Sequence, residues 1–399
     1  LMCWELFAAG CLLISFICSV SNGQPLGDYY RNALVSSDFA GISGYIILAC
    51  REQNRKVGDK VQQQVIGAKT TRKDAWPKVT GTAKYNDDTI SPSCLQARLL
   101  TSVYAHARIV SIDVTEALAL SGVRAVVTGA VCRILTGSIL QDMPILAAGV
   151  TRYFGEQVAI VVADEEWQAA QATRLIRVTY APLPVINSIK DAQRPGAVLI
   201  HPQLGNYTHT VSDVYPEAGT NIANYTKIRK GNMEQGWLIS EFVIEAEYEL
   251  PQANHAYMET RNARAEILPG GQVHIYTSSQ APHASRALLA KYFKLNENDI
   301  IIHVPFVGGG FGGKVNPQPE MLAYLASKAV GGREVRITLT REENFYASAC
   351  KIGATVKMKL GADKTGKIQA LQVDYAVDAG AYTDTAPVMS RAMAVNCCA

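Results

Sequence analysis

The stretch Val304–Val315, VPFVGGGFGGKV, packs five glycines around one phenylalanine in six consecutive positions. Each glycine gives up backbone entropy in exchange for dihedrals and close approaches that a side chain forbids. Between a strand and a helix, such a loop can aim unpaired N–H groups at an anionic ligand. Three chemistries compete for it. Gly308, Gly310 and Gly313 satisfy the G-x-G-x-x-G spacing of a dinucleotide site. However, Pro317 and Pro319 delay the next helix, and no acidic residue ends a strand about 20 positions on. With Val315 the run also meets the kinase glycine-loop template, yet nothing resembling V-A-I-K, H-R-D or D-F-G comes after it. The third chemistry is a different cofactor, against which main chain is pressed. A purely structural loop, letting two strands pass closely, is the bland reading. Phe311 argues against it, because a ring isolated among glycines is held out with nothing beside it to pack on.

The nine cysteines do not form a metal site by spacing. They are scattered, with no C-x-x-C pair, no histidine cluster at zinc spacing and no four-cysteine run for an iron–sulfur centre. Mostly reduced, buried thiols are expected. A chain of 399 residues with 48% hydrophobic and 18% charged residues describes a folded protein of more than one domain. A formal charge of +3, without any basic block, excludes nucleic acid as a partner. The apolar run Leu6–Val20 resembles the core of a signal peptide more than a membrane span, but the first cation is Arg31. A cleavable signal, a wrongly assigned start and a buried helix all stay open.

Elements must then position the loop. Residues 1–55 share no periodicity with the remainder of the chain. A strand is expected through Leu99, Ser102 and Tyr104, another over Ile109–Val114, and a short helix over Thr115–Leu120 closed by Gly122. Buried strands are expected at VRAVVTG and Gln157–Ala163, with a helix over 164–173 and a strand that Pro182 and Pro184 end. This order predicts an α+β domain over 57–192. Residues 193–237, poor in apolar runs, read as a surface connector. From 238 onward come strands at ISEFVIEAEYEL, Gly271–Gln280 and Asp299–Phe306, the last running into the glycine loop. Asn316 is expected to cap a helix that has Pro317 at its first position and is stopped by Gly331–Gly332. A hairpin comes next, turning at Ala362–Gly366. Gln280 ends one strand and Phe311 comes just after the next, so the two are expected at one edge. Glu320, Glu342 and Glu343 read as a helix start and a solvated turn, not as catalytic bases.

With TSSQAPH (Thr277–His283), YAHARIVSIDV (Tyr104–Val114), KVTGTAKYNDD, YFGEQVAIVVADEEWQA and YMETRNARAEI in the same order, the loop resembles the molybdenum-binding subunit of the xanthine dehydrogenase and aldehyde oxidase family. The resemblance runs from about Val57 to Cys398. It implies a hammerhead-type α/β domain over 57–192, followed by the first part of a molybdopterin-binding domain over 238–399. It also implies a molybdopterin-type molybdenum cofactor, whose metal is held by the pterin and needs no Cys or His from the protein. By resemblance, Gln280 contacts an oxygen ligand of molybdenum and Phe311 stands beside the metal. Gly309 and Gly310 bring the backbone to it, and Arg391 binds substrate as in purine-oxidising members. Val315 departs from that pattern, since purine-oxidising members carry a glutamate there. Aldehyde-oxidising members are apolar at that position but generally lack the arginine. An N-heterocycle (xanthine or purine-like) and an aldehyde therefore both remain as substrates, with water as oxygen source.

The family's general-base glutamate and second cofactor domain correspond to positions past Ala399, so the chain is expected to be inactive alone. A catalytically dead paralogue, acting in binding or assembly, is the alternative. The family also implies partner subunits carrying 2Fe-2S clusters and FAD, a homodimer of heterotrimers, and a cytoplasmic location without membrane partners. The signal-like head leaves export open.

Overall fold

The computed structural model describes residues 69–398. The apolar run Leu6–Val20 and Cys3, Cys11, Cys18 and Cys50 lie outside the described residues. By compactness these residues form two units. One comprises residues 69–82, Gly231–Glu247 and Lys357–Asp374, and the other comprises the remainder.

The larger unit is organised by a seven-stranded mixed sheet. Its strands in chain order are β1 (Leu95–Thr101), β3 (Val123–Thr128), β4 (Gln157–Ala163), β7 (Asn262–Ile267), β8 (Val273–Thr277), β9 (Ile300–His303) and β10 (Val335–Thr338). The spatial order is β9-β8-β7-β10-β1-β4-β3. Both sequence segments therefore share one sheet, joined where β1 runs parallel to β10 with Leu95 opposite Val335. The run QVAIVVA has no polar face because β4 is covered on both sides. Ala159, Val161 and Ala163 pack with Ala117 of α1 (Thr115–Ala119) and with Ala169 and Ala172 of α2 (Glu166–Leu175). Ile160 and Val162 join the opposite cluster with Leu95, Ala263, Ile275 and Val335. Helix α5 (Gln318–Ala329) completes that cluster through Met321, Leu322, Tyr324 and Ala326.

A second sheet sets β2 (Ala107–Asp113) between a two-residue strand at Val150–Thr151 and β5 (Arg177–Pro182). A third orders β12 (Ile368–Asp378), β11 (Gly353–Ala362) and β6 (Phe242–Leu250). The turn between β11 and β12 is closed by Asp363, whose N–H donates to the Lys367 carbonyl at 3.0 Å. In the smaller unit, α3 (Met233–Leu238) brings Gly236 so near β12 that a Cβ would stand 2.6 Å from the Gln369 carbonyl oxygen.

Several local expectations are corrected. Strand β1 ends at Thr101, before Ser102 and Tyr104; the Ser102 hydroxyl donates to the Tyr104 carbonyl at 2.9 Å and closes a turn there. Strand β9 stops at His303 instead of Phe306, since Pro305 has no N–H for a ladder. Helix α5 starts at Gln318 with Pro317 as its N-cap, so Asn316 sits too early to cap it. The Asn316 amide donates instead to Asp384 at 3.3 Å. Glu320 is in the first turn of α5 but buried, at 2% exposure. Glu343 is not solvated either. It is buried in the capping box of α6 (Arg341–Tyr346) with Thr340 and pairs with Arg98 at 3.2 Å. Within 193–237, Leu204 and Val214 are buried, so that stretch is more than a surface wrap.

Candidate functional site

The site is set by one register. Strands β8 and β9 are parallel neighbours, paired from Val273 with Ile300 to Tyr276 with His303. Their carboxyl ends therefore leave the sheet at the same edge, the usual place for a ligand in a parallel sheet. After β8 the chain passes Ser278, Ser279 and Gln280 into α4 (Pro282–Phe293). After β9 it enters the glycine loop. The two exits clasp each other. The Gln280 N–H donates to the Lys314 carbonyl at 2.9 Å, and the Lys314 N–H returns a bond to Gln280 Oε1 at 3.2 Å. The same oxygen accepts from the Gly312 N–H at 3.0 Å. Gln280 Nε2 has no partner among the described residues, and the residue is exposed.

At Gly310 a Cβ would stand 2.4 Å from Gln280 Oε1, so the space the glycine clears is filled by protein. The unusual feature of the loop is instead its backbone. Gly309 takes φ +98°, and Phe311 takes φ +52°, a left-handed conformation that costs a non-glycine residue energy. The Phe311 side chain is 71% exposed. Among the described residues the amides of Gly309, Gly310 and Phe311 have no partner, whereas those of Gly308, Gly312, Gly313 and Lys314 are all taken. Three successive amides without a partner therefore follow one another in the chain, close to a side-chain amide that is also unpaired, and successive backbone donors of this kind are suited to anions.

A buried charged layer supports this edge. Lys314 Nζ pairs with Glu259 Oε2 at 2.8 Å and lies 4.8 Å from the Tyr257 ring centre. Burial pushes the Lys314 ammonium down, against the upward pull of Glu259. The Arg261 guanidinium donates to the Asn316 carbonyl. The Glu320 carboxyl accepts from the Thr277 hydroxyl at 2.9 Å and is pushed up by burial.

Of the other sequence candidates, Val315 comes directly after Lys314 at the loop exit and is 41% exposed. Arg391 lies on α7 (Ala386–Cys398), is exposed, and pairs with Asp213 rather than with the loop. The segment leading into α7 is nevertheless tied down. Asp384 accepts from Asn316 at the loop exit, the Thr383 N–H donates to Asp142 at 2.8 Å, and the buried Tyr382 hydroxyl donates to Glu156. Sequence reasoning overlooked Glu259, Lys314, Glu156 and Tyr382. Lys314 closes the glycine motif and Glu259 sits in YMET, but burial is what gives them a role, and spacing alone does not reveal burial.

No group of three or more His, Cys, Asp or Glu residues able to hold a metal occurs among the described residues. Cys94 and Cys132 are buried free thiols and Cys350 is an exposed one. The edge offers hydrogen-bond donors instead of metal ligands, which fits a group that brings its own metal ligation. No helix among the described residues is long and apolar enough to cross a membrane.

Comparison with known proteins gives the family. Residues 80–184 match the a/b hammerhead domain of aldehyde oxidase and xanthine dehydrogenase, and residues 214–399 match the molybdopterin cofactor-binding domain. The second match begins inside the stretch read as a connector. A probable xanthine dehydrogenase subunit from Bacillus subtilis is 35% identical over 80% of this chain. The matched region is 41% of that relative's length, so the chain spans about two fifths of it. Among solved structures, CO dehydrogenase from Oligotropha carboxidovorans superposes with a TM-score of 0.70 at 27% identity, over 78% of this chain and 40% of its own. Quinoline 2-oxidoreductase from Pseudomonas putida 86 gives 0.67 at 30% identity, over 77% and 38%. The chain belongs to the xanthine dehydrogenase and aldehyde oxidase family, and corresponds to the N-terminal part of its molybdenum-binding subunits.

Proposed function

We propose that this chain forms the first part of a molybdenum hydroxylase subunit that oxidises an N-heterocycle or an aldehyde. The observation that carries the reading is the common edge of β8 and β9, where Gln280 Nε2 and the amides of Gly309, Gly310 and Phe311 stand free together. When bound, the molybdopterin group supplies two-electron oxidation with water as the oxygen source. This chain's residues hold and orient it. Gln280 and the three amides would donate hydrogen bonds to the group, and the exposed Phe311 ring would stand beside it. Arg391 binds a polar substrate edge, with Asp213 as its resting partner. Glu259 and Glu320 are committed to Lys314 and Thr277, so neither is assigned as a proton acceptor from the reacting centre.

Electrons leave through partner subunits carrying 2Fe-2S clusters and FAD, in a cytoplasmic homodimer of heterotrimers. Val315 offers no hydrogen bond to a purine edge, whereas Arg391 does, and the substrate class turns on these two positions. The test is elemental analysis of the completed subunit purified with its partners. About one molybdenum per chain is expected, and an active, metal-free complex would reject the reading.

A further inference from the structure

One carboxylate oxygen closes the glycine loop on itself. Glu259 Oε2 accepts from the Gly308 N–H at 2.8 Å and from Lys314 Nζ at 2.8 Å, so the first and last residues of 308–314 meet on a single atom. The Glu259 N–H also donates to the Gly308 carbonyl at 3.2 Å, so Glu259 holds both the N–H and the carbonyl of Gly308. Lys314, in turn, clasps Gln280 through its main chain. The connection therefore runs from Gly308 through Glu259 and Lys314 to Gln280, and brackets the three amides in the chain.

We propose that Glu259 is a positioning residue for the ligand of this loop: its carboxylate staples residues 308 and 314 together and so directs the amides of Gly309, Gly310 and Phe311, with Gln280 Nε2, at one bound group. The inference rests on the proposed molybdenum-cofactor function and adds the residue that shapes its site. Stability alone does not account for the pair. The side chains are 2% and 13% exposed, and buried ion pairs are often matched or exceeded in stability by apolar residues of similar size. An apolar pair, however, leaves the Gly308 N–H without its acceptor and the loop without its closure. Glu259 Oε1 and the Tyr257 hydroxyl, both buried and without a partner, lie on the same support.

The test uses the complete molybdenum subunit with its partners, and in parallel the 399-residue chain. Three variants are made: Glu259→Leu, the volume-matched double Glu259→Leu with Lys314→Met, and the conservative Glu259→Gln. The double variant is expected to melt as cooperatively as wild type, yet to retain about 10-fold less molybdenum by mass spectrometry after gel filtration. In hydrogen exchange on the 399-residue chain, the bonded amides of Gly308, Gly312, Gly313 and Lys314 should lose protection in both leucine variants. Glu259→Gln, which keeps an acceptor for Gly308, should recover most of the metal and the protection. If the double variant keeps wild-type metal content and loop protection, the pair only balances charge and the inference is overturned. If wild type itself holds no molybdenum, the functional reading fails, while the exchange experiment still decides whether Glu259 shapes the loop.

Discussion

Tyr382 donates its hydroxyl to the carboxylate of Glu156 in a buried position, linking the segment before α7 to the residue that precedes β4. Glu156 also accepts from the Arg152 N–H at 2.5 Å. Burial nevertheless outweighs these donors and pushes its carboxyl from an ordinary 4.5 up to about 7. Nearby, the imidazole of His201, bonded to the Ala381 carbonyl at 2.6 Å, is pushed by burial from 6.5 down to about 4. The signs oppose. The contribution from Glu156 is full below its ordinary value and is lost as pH rises towards about 7. That from His201 is full above 6.5 and is lost as pH falls towards about 4. As pH rises from 4.5 to about 7, the melting temperature should thus fall in His201→Asn, where only the Glu156 contribution remains, and rise in Glu156→Gln, where only the His201 contribution remains. Equal profiles for both variants and wild type would refute the assignment.

Gln280→Glu separates the two jobs of that side chain. A carboxylate still accepts from the Gly312 and Lys314 amides, so the loop should keep its fold and the melting temperature should change little. The donor facing the ligand is lost, and turnover of the completed enzyme should fall by about 10- to 100-fold. Unchanged turnover would show that Nε2 makes no productive contact.

Gly310→Ala is admitted only if Gln280 swings away, because the new Cβ would stand 2.4 Å from its Oε1. The amides of Gly312 and Lys314 then lose their acceptor, at a cost of about 1–3 kcal/mol. Chemical denaturation should report that loss. It should largely disappear in the Gln280→Ala background, where the obstacle is already gone.

Substrate choice should depend on Val315 and Arg391. Val315→Glu should raise kcat/KM for a purine relative to an aldehyde by about 10-fold, the worth of one good hydrogen bond. Arg391→Met should shift the same ratio in the opposite direction. Insensitivity of the ratio to both changes would place substrate elsewhere.

Much of this was legible in residue order, for identifiable reasons. Gln157–Ala163 reads as buried because continuous apolar runs need cover on both faces, and α2 and α5 provide it. Gln280 and the loop read as neighbours because residue order puts Gln280 at the end of one strand and Phe311 just after the next. The strand in fact ends at Thr277, three residues before Gln280, and the parallel pairing of β8 with β9 still puts the two exits side by side. The support of the loop was not legible. Glu259 and Lys314 are charged residues that spacing would assign to the surface, and only the three-dimensional closure makes them partners. Asn316 shows the same limit locally. It is a good capping residue by type, but Pro317 takes the cap and Asn316 turns to Asp384.

The parallel seam between β1 and β10, where the Leu95 N–H bonds the Glu334 carbonyl at 2.9 Å, has a consequence for biosynthesis. A nascent chain that has emerged only through the hammerhead segment has one edge of β1 paired with β4, but the edge that faces β10 is bare, because β10 has not yet been synthesised. Such an open border invites mispairing with other chains until the later strand arrives. Recombinant production of that segment by itself should therefore give inclusion bodies, and the two halves should have to be synthesised as one polypeptide.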